Sequence, residues 1–145
     1  MTILIYPNET LSQVSSPIPS DEFGTDALLK LISDMKETML AAGGIGLAAP
    51  QVGVLKRVII VMMPGGAVEM VNPELVYQSN HKTPLCEGCL SFPGESVEVK
   101  RPEVISVRYY TAQGHLRSQV CNGIASKCIQ HEIDHLNGKL IKENI

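Results

Sequence analysis

Short strand-like runs follow one another so closely between residues 57 and 121 that they cannot alternate with helices in βαβ units. The runs are bounded by Gly and Pro, as strands typically are. Strands with such short connections pair antiparallel, because a parallel pair needs a long crossover. The last two runs flank the turn residues Thr111 to Gly114 and predict a hairpin. The runs are Arg57 to Met62, Val68 to Val71, Leu75 to Gln78, Val97 to Val99, Val104 to Tyr110 and His115 to Cys121.

Two helices are predicted to flank these strands. Apolar residues recur at helical spacing from Asp26 to Ala42, with Thr25 as candidate N-cap and Gly43 as candidate C-cap. A second helix is predicted to begin between Asn122 and Ala125 and to end at Asn137-Gly138. The pattern therefore predicts an α+β fold. Antiparallel sheets would pack around the C-terminal helix, with an amphipathic helix nearer the N-terminus.

Length and charge narrow the classes of function. The chain has the size of a single domain, so we expect one unit over residues 1–145. The formal net charge is -3 and Lys and Arg form no run, which argues against nucleic acid as a ligand. The first seven residues lack the features of a signal peptide and predict a strand or an extended arm. The longest apolar run, Val58 to Met63, is too short to cross a bilayer.

These features place the protein in a reducing compartment. We expect a monomer in the cytoplasm of a bacterial-type cell, which includes a phage-encoded origin, or in the interior of an organelle. Its four cysteines are then thiols, available for metal or for packing.

The predicted second helix carries His131-Glu132-Ile133-Asp134-His135. Two histidines four residues apart lie on one helix face and can bind one ion, and Glu132 beside them can accept a proton from water that the ion activates. The alternative is that two surface histidines share a face by chance, with Glu132 a solvated carboxylate. Ile129, Gln130 and Leu136 favour the metal site, because they would shield it from water.

A catalytic ion of this kind usually has three protein ligands, and Cys89 is the candidate for the third. It lies between Gly88 and Pro93, which would fix a loop or a strand end. Cys86 and Cys89 could instead form a redox pair or half of a structural zinc site. A structural zinc site would need another close pair of cysteines. Cys121 and Cys128 are widely spaced, and they are expected to pack in the core.

A third segment of interest runs from Gly44 to Gly53. Its small residues could simply end the first helix and allow close packing. They could also let a peptide approach the backbone, with the Gln51 amide donating to a carbonyl oxygen that becomes an oxyanion. A phosphate loop is excluded, because neither common glycine pattern is present.

Taken in order, three segments resemble peptide deformylase. They are Gly44 to Gln51, Glu87 to Ser91, and Gln130 to Leu136, and the likeness extends from about Ile3 to Leu140. The resemblance implies removal of the formyl group from N-formylmethionyl nascent chains, with release of formate. It implies that Cys89, His131 and His135 hold one divalent ion, natively Fe(II), with Zn(II), Ni(II) or Co(II) able to replace it.

The same resemblance implies further site residues. Glu132 would be the general base and acid, while Gln51 and the backbone N–H of Leu90 would stabilise the oxyanion. Substrate would bind in an apolar methionine pocket and pair with backbone, and His131 would border that pocket. The substrate-binding residues implied in this way are Gly44, Ile45, Gly46, Glu87, Gly88, Ile124 and Cys128.

Two departures from the family pattern affect these expectations. The chain has ten residues after His135, so we expect it to lack the C-terminal extension by which many members engage the ribosome. Lys127 stands where relatives commonly have an apolar pocket residue. We expect its side chain to face solvent, in an orientation that would let its stem cover the pocket rim. Two competing hypotheses are an endopeptidase with the same histidines and a metal-binding module without activity. The first lacks a further histidine downstream, and the second would not need Glu132.

Overall fold

The computed structural model describes residues 1–141, and the last four residues of the chain lie outside this range. The observed elements are α1 (Asp26–Ala41), β1 (Gly46–Ala48), β2 (Val58–Met63), β3 (Gly66–Gln78), β4 (Lys82–Cys89), β5 (Phe92–Pro102), β6 (Val104–Tyr110), β7 (Leu116–Asn122) and α2 (Gly123–Leu136). The strands form a five-stranded antiparallel sheet, ordered β1-β2-β3-β6-β7, and a separate hairpin of β4 and β5. The predicted α+β class is confirmed.

The five-stranded sheet is covered on both faces by helices. Alternate residues of β2 point to opposite sides, so that Ile59 packs in the cluster with α2 while Ile60 packs in the cluster with α1. This explains why β2 reads as a continuous apolar run and not as an alternating one. The helix α2 thus lies against a fully apolar surface that fixes its position. Its buried apolar residues include Cys128, Ile129, Ile133 and Leu136.

The observed caps of both helices lie at the predicted positions or one residue away. The Thr25 hydroxyl accepts a hydrogen bond from the Leu28 N–H and is the N-cap of α1, as predicted. The C-cap of α1 is Ala42, one residue before the predicted position, and Gly43 follows with a φ of 71°. The predicted limits of α2 are confirmed, with Asn122 and Asn137 as its caps.

Two strand predictions need correction. The runs from Val68 to Val71 and from Leu75 to Gln78 belong to the single strand β3, in which the register shifts between Val71 and Glu74. Asn72 causes the irregularity, with a φ of 52° and a side chain that bonds both backbone groups of Ile18. The strand β4 was not predicted at all, and the run from Val97 to Val99 is only the middle of β5.

The first residues form the extended arm that the sequence predicted as one of two alternatives. The Leu4 N–H donates to the Gln51 carbonyl at 2.7 Å, and the Tyr6 N–H donates to the Ser91 carbonyl at 2.9 Å. Tyr6 also stacks on Phe92, with ring centroids 4.8 Å apart. The arm therefore ties together two backbone segments that border the candidate site. Within residues 1–141, neither helix has the length and apolar character of a membrane span.

Candidate metal centre

Three side chains predicted to bind metal converge between β4 and α2. The ligand atoms of Cys89, His131 and His135 all lie within 4.8 Å of one another. Cys89 is the last residue of β4, while the histidines lie one turn apart on α2. The sequence prediction of a shared site for these residues agrees with this arrangement.

The distances suit a divalent ion of the zinc or iron type. The Cys89 Sγ and the His135 Nε2 are 3.3 Å apart. A tetrahedral ion bonded to one sulfur and one nitrogen holds the two atoms about 3.5 Å apart. Both histidines are almost fully buried, and one thiol with two imidazoles is a soft to intermediate ligand set that calcium and magnesium do not prefer. The residues present therefore fit a transition-metal ion.

A hydrogen-bond network behind the ligands fixes their orientation. The His131 Nδ1 lies 2.9 Å from the Glu87 carboxylate, which leaves Nε2 as the ligand atom. Arg101 donates two hydrogen bonds to Glu87, at 2.6 and 3.0 Å, and a third to Asp134 at 2.8 Å. Arg101 and Glu87 are both buried, so the network joins β4, β5 and α2 in a region of low dielectric.

Glu132 lies on the same helix as the histidines and is 4% exposed. Among the side chains of residues 1–141, none donates a hydrogen bond to its Oε1, and that atom is buried. An unpaired buried carboxylate oxygen is costly, and it remains available to a bound molecule. Gly46 makes room for the carboxylate, because a Cβ at that position would lie 2.4 Å from Glu132 Oε2.

The charges of the site are strongly coupled. Burial alone would lower the pKa of His131, but the negative charge of Glu132 and the hydrogen bond with Cys89 raise it to about 10. Burial and the positive charge of His131 lower the pKa of His135 to about 3. Burial raises the pKa of Glu132 to about 7, although the charge of His131 opposes the shift. A metal ligand must be deprotonated, so a cation here would take the place of the proton on His131.

Gln51 lies beside the ligand set and is held in one orientation. Its Oε1 accepts a hydrogen bond from the Ala48 N–H at 2.9 Å, so its Nε2 points the other way. That nitrogen is 3.2 Å from the Ser91 Oγ and 3.6 Å from the Cys89 Sγ. Gln51 is therefore a fixed amide donor next to the thiol.

A cavity of about 410 Å³ opens beside these residues. All of the predicted substrate-binding residues border it, together with Glu132, Gln51, Leu90 and two of the three candidate metal ligands. The third candidate ligand, His135, is not among the residues of 1–141 that line the cavity. The lining predicted from the sequence and now found at the cavity is Gly44, Ile45, Gly46, Glu87, Gly88, Ile124 and Cys128.

The structure corrects one prediction and adds residues that the sequence did not indicate. Lys127 does not face solvent as expected, because it is 5% exposed and borders the cavity. Nothing in the sequence pattern indicated a role for Arg101 or Ser91, although each holds a site residue in place. Asp134 stands inside the histidine motif, and its position there was the only available signal. Cys121 and Cys128 are buried, as predicted, and Cys86 and Cys89 are free thiols.

Known proteins whose sequences resemble this chain belong to one family. The sequence model of the polypeptide deformylase family matches residues 1–145. Peptide deformylase 1 of Burkholderia multivorans is 42% identical over 146 residues, which cover 99% of this chain and 79% of that protein. The peptide deformylase of Phenylobacterium zucineum is 43% identical over 148 residues, which cover 99% and 86% of the two chains.

Among solved structures, a class I type b peptide deformylase from Acinetobacter baumannii with Met-Ala-Ser bound has a TM-score of 0.95 and 38% identity. The match covers 100% of this chain and 98% of that one. Sequence, fold and the arrangement of the site thus point to the same relatives. This chain belongs to the peptide deformylase family.

Proposed function

We propose that this chain hydrolyses the formyl group from N-formylmethionyl peptides, nascent chains among them, and releases formate and a free N-terminal methionine. The observation that supports this most directly is the convergence of one thiol and two imidazoles beside a buried carboxylate in an apolar cavity. Family membership supports the same reaction. Cys89, His131 and His135 would hold one divalent ion, with Fe(II) as the native metal and Zn(II), Ni(II) or Co(II) as substitutes.

The ion would supply Lewis acidity and lower the pKa of water. Glu132 is the proton carrier of the reaction. Burial raises the pKa of this carboxyl group toward neutral pH, and a group with such a pKa can both accept and donate a proton. It takes a proton from water as the water oxygen bonds to the formyl carbon, and it gives that proton to the amine nitrogen as the C–N bond breaks.

Gln51 and Leu90 bind the formyl oxygen while negative charge develops on it. The Gln51 Nε2 is already oriented by the bond from Ala48 to the opposite end of its amide. A donor that needs no reorientation stabilises the transition state more than the ground state. Leu90 follows Cys89 directly and borders the cavity, so its backbone N–H would be the second donor.

Substrate binding uses the cavity and the edge of the sheet. The strand β1 is an edge strand, so one side of its backbone is open to pairing with an extended peptide. Gly46 would present that edge, with Gly44 and Ile45 directly before the strand and Gly88 on the facing hairpin. A structure of the Acinetobacter relative contains Met-Ala-Ser, a peptide with the chemistry of the expected product. The methionine side chain would enter the apolar part of the cavity beside Ile124 and Cys128.

The test is release of formate from formyl-Met-Ala-Ser by the purified protein, loaded with Fe(II) without oxygen or with Ni(II). We expect Glu132→Gln to keep the bound metal and to lose turnover by about 100-fold or more, since only the proton carrier is removed. Glu98→Gln is the matched control, because it makes the same change on the exposed face of β5. No formate from the metal-loaded wild type would refute the proposed function. Loss of metal from Glu132→Gln would refute the role given to Glu132.

A further inference from the structure

Lys127 is buried, which is unusual for a lysine side chain. Its Nζ lies 3.2 Å from the Glu103 carboxylate and also donates a hydrogen bond to the Thr83 hydroxyl. The Thr83 hydroxyl in turn donates to the same carboxylate. The side chain of Lys127 is 7% exposed and that of Glu103 is 33% exposed, so the pair lies at the edge of the protein interior. An ammonium group can be buried in this way only when such partners hold it.

The two ends of Lys127 have different surroundings. Lys127 borders the cavity, whereas neither Thr83 nor Glu103 is among the residues of 1–141 that line it. The charged end therefore bonds to partners behind the cavity wall, and the alkyl stem remains to form part of that wall. Lysine commonly separates its apolar stem from its charged head in this manner.

The position of Thr83 on β4 shows how the hydrogen bonds of Lys127 relate to the substrate site. Thr83, Leu85 and Glu87 are alternate residues of β4 and point to the same side of the strand. Leu85 and Glu87 line the cavity, and Glu87 bonds to His131, one helical turn after Lys127. The bond from Lys127 to Thr83 is thus a further link between β4 and α2, one helical turn before the bond from His131 to Glu87.

We propose that Lys127 determines the side-chain specificity of this pocket, and that Glu103 and Thr83 hold its ammonium group outside so that only its apolar stem meets the substrate. The proposal rests on the proposed function, because it concerns the pocket for the methionine side chain. Its consequence is a pocket whose polarity depends on two residues that do not touch substrate. Without them, the ammonium group turns inward, where it disfavours methionine and favours an acidic side chain.

The experiment compares two peptides on the nickel-loaded protein by calorimetry. The probes are Met-Ala-Ser and Glu-Ala-Ser, so the readout is binding and does not require turnover. In Glu103→Ala we expect the ratio of the two affinities to shift toward Glu-Ala-Ser by about 10-fold or more, which is the usual effect of changing one contact in such a pocket. Glu98→Ala is the control, since it removes the same charge at an exposed position of β5 outside the cavity and should keep the wild-type ratio.

A second variant separates the charge of Lys127 from its packing. Adding Lys127→Met to Glu103→Ala replaces the ammonium group by an apolar end of similar length, and should return the ratio toward that of the wild type. Thr83→Val should shift the ratio in the same direction as Glu103→Ala, and takes its place if thermal melting shows that Glu103→Ala does not fold. An unchanged ratio in a folded single variant, or no recovery in the double variant, would overturn the proposal. Absence of formate release by the wild type would instead refute the proposed function.

Discussion

Gly46 offers the sharpest test of the site geometry, because an added methyl group there would meet the proposed proton carrier. The Cβ of an alanine would lie 2.4 Å from Glu132 Oε2 and 2.8 Å from Cys128 Sγ. The backbone of Gly46 has no positive φ, so Gly46→Ala introduces no conformational strain of its own. The effect of the substitution is therefore purely steric.

The size of the effect follows from these contacts. Ordinary van der Waals contact begins at 3.4 Å, so the carboxylate must retreat by about 1 Å in a site where Glu132 is 4% exposed. A displacement of about 1 Å at a reacting group can cost about 100-fold in rate. Overpacking of this kind also costs about 1–3 kcal/mol in the free energy of unfolding. The metal should remain, since the three atoms nearest to the added methyl group belong to Glu132 and Cys128 and not to a candidate ligand.

The assay measures kcat for formyl-Met-Ala-Ser, metal content and Tm on the same nickel-loaded preparation. We expect kcat to fall about 100-fold with full metal occupancy and a Tm lower by several degrees. Gly65→Ala is the control, because a Cβ at Gly65 would meet no atom of the other residues in 1–141 within 4 Å and should leave kcat, metal content and Tm unchanged. A wild-type kcat in Gly46→Ala would show that Glu132 has room to move, and that its observed position is not required for the reaction.

Two further predictions concern the charges around the site and the sheet. Arg101→Met should lower the free energy of unfolding by about 3–5 kcal/mol, because it leaves the Glu87 and Asp134 carboxylates without their buried partner. It should also weaken metal binding by about 10- to 100-fold. Urea unfolding measures the loss of stability, and competition for zinc measures the loss of metal affinity. A loss of stability no larger than that caused by Arg108→Met, which removes an exposed ion pair, would contradict the argument. For Glu69, burial would raise the pKa, but the hydrogen bond and charge of Lys36 together with backbone hydrogen bonds outweigh it, so the pKa is lowered from the ordinary value. Its contribution to stability is therefore present above the unfolded pKa and is lost as pH falls through the lower folded value. Glu69→Gln should thus cost about 1 kcal/mol at neutral pH and nothing in strong acid, as followed by urea unfolding across pH. A difference that persists in acid would refute this, and Glu74→Gln, whose partner is exposed, is the control.

The elements with a regular pattern were predictable from the sequence. The helix α1 has a cap at Thr25 and an apolar face at helical spacing, both of which are local features. The two candidate histidine ligands were predictable as a pair because the helix that carries His131 and His135 fixes their spacing. Cys89 was chosen from the number of ligands such an ion needs, and the fold places it beside both histidines.

The features that the sequence did not reveal depend on distant partners. The strand β4 contains Pro84 and Gly88, and pairing along β5 stabilises it despite these breakers. The burial of Lys127 depends on Thr83, 44 positions away along the chain, and on Glu103. Asn72 and Pro73 looked like the end of a strand, whereas the Asn72 side chain bonds to Ile18 and carries the strand through an irregularity. No local pattern encodes such contacts.

The separation of the Cys89 hairpin from the five-stranded sheet has a consequence for biosynthesis. The sulfur is translated before the two imidazoles, so the three groups can meet only after the residues of α2 have been made. A chain interrupted before residue 131 carries neither histidine of the site, so it cannot chelate an ion there. Under the proposed ligand set, all three groups can therefore bind an ion only after the last helix has been made, and shorter chains cannot hold it at this position.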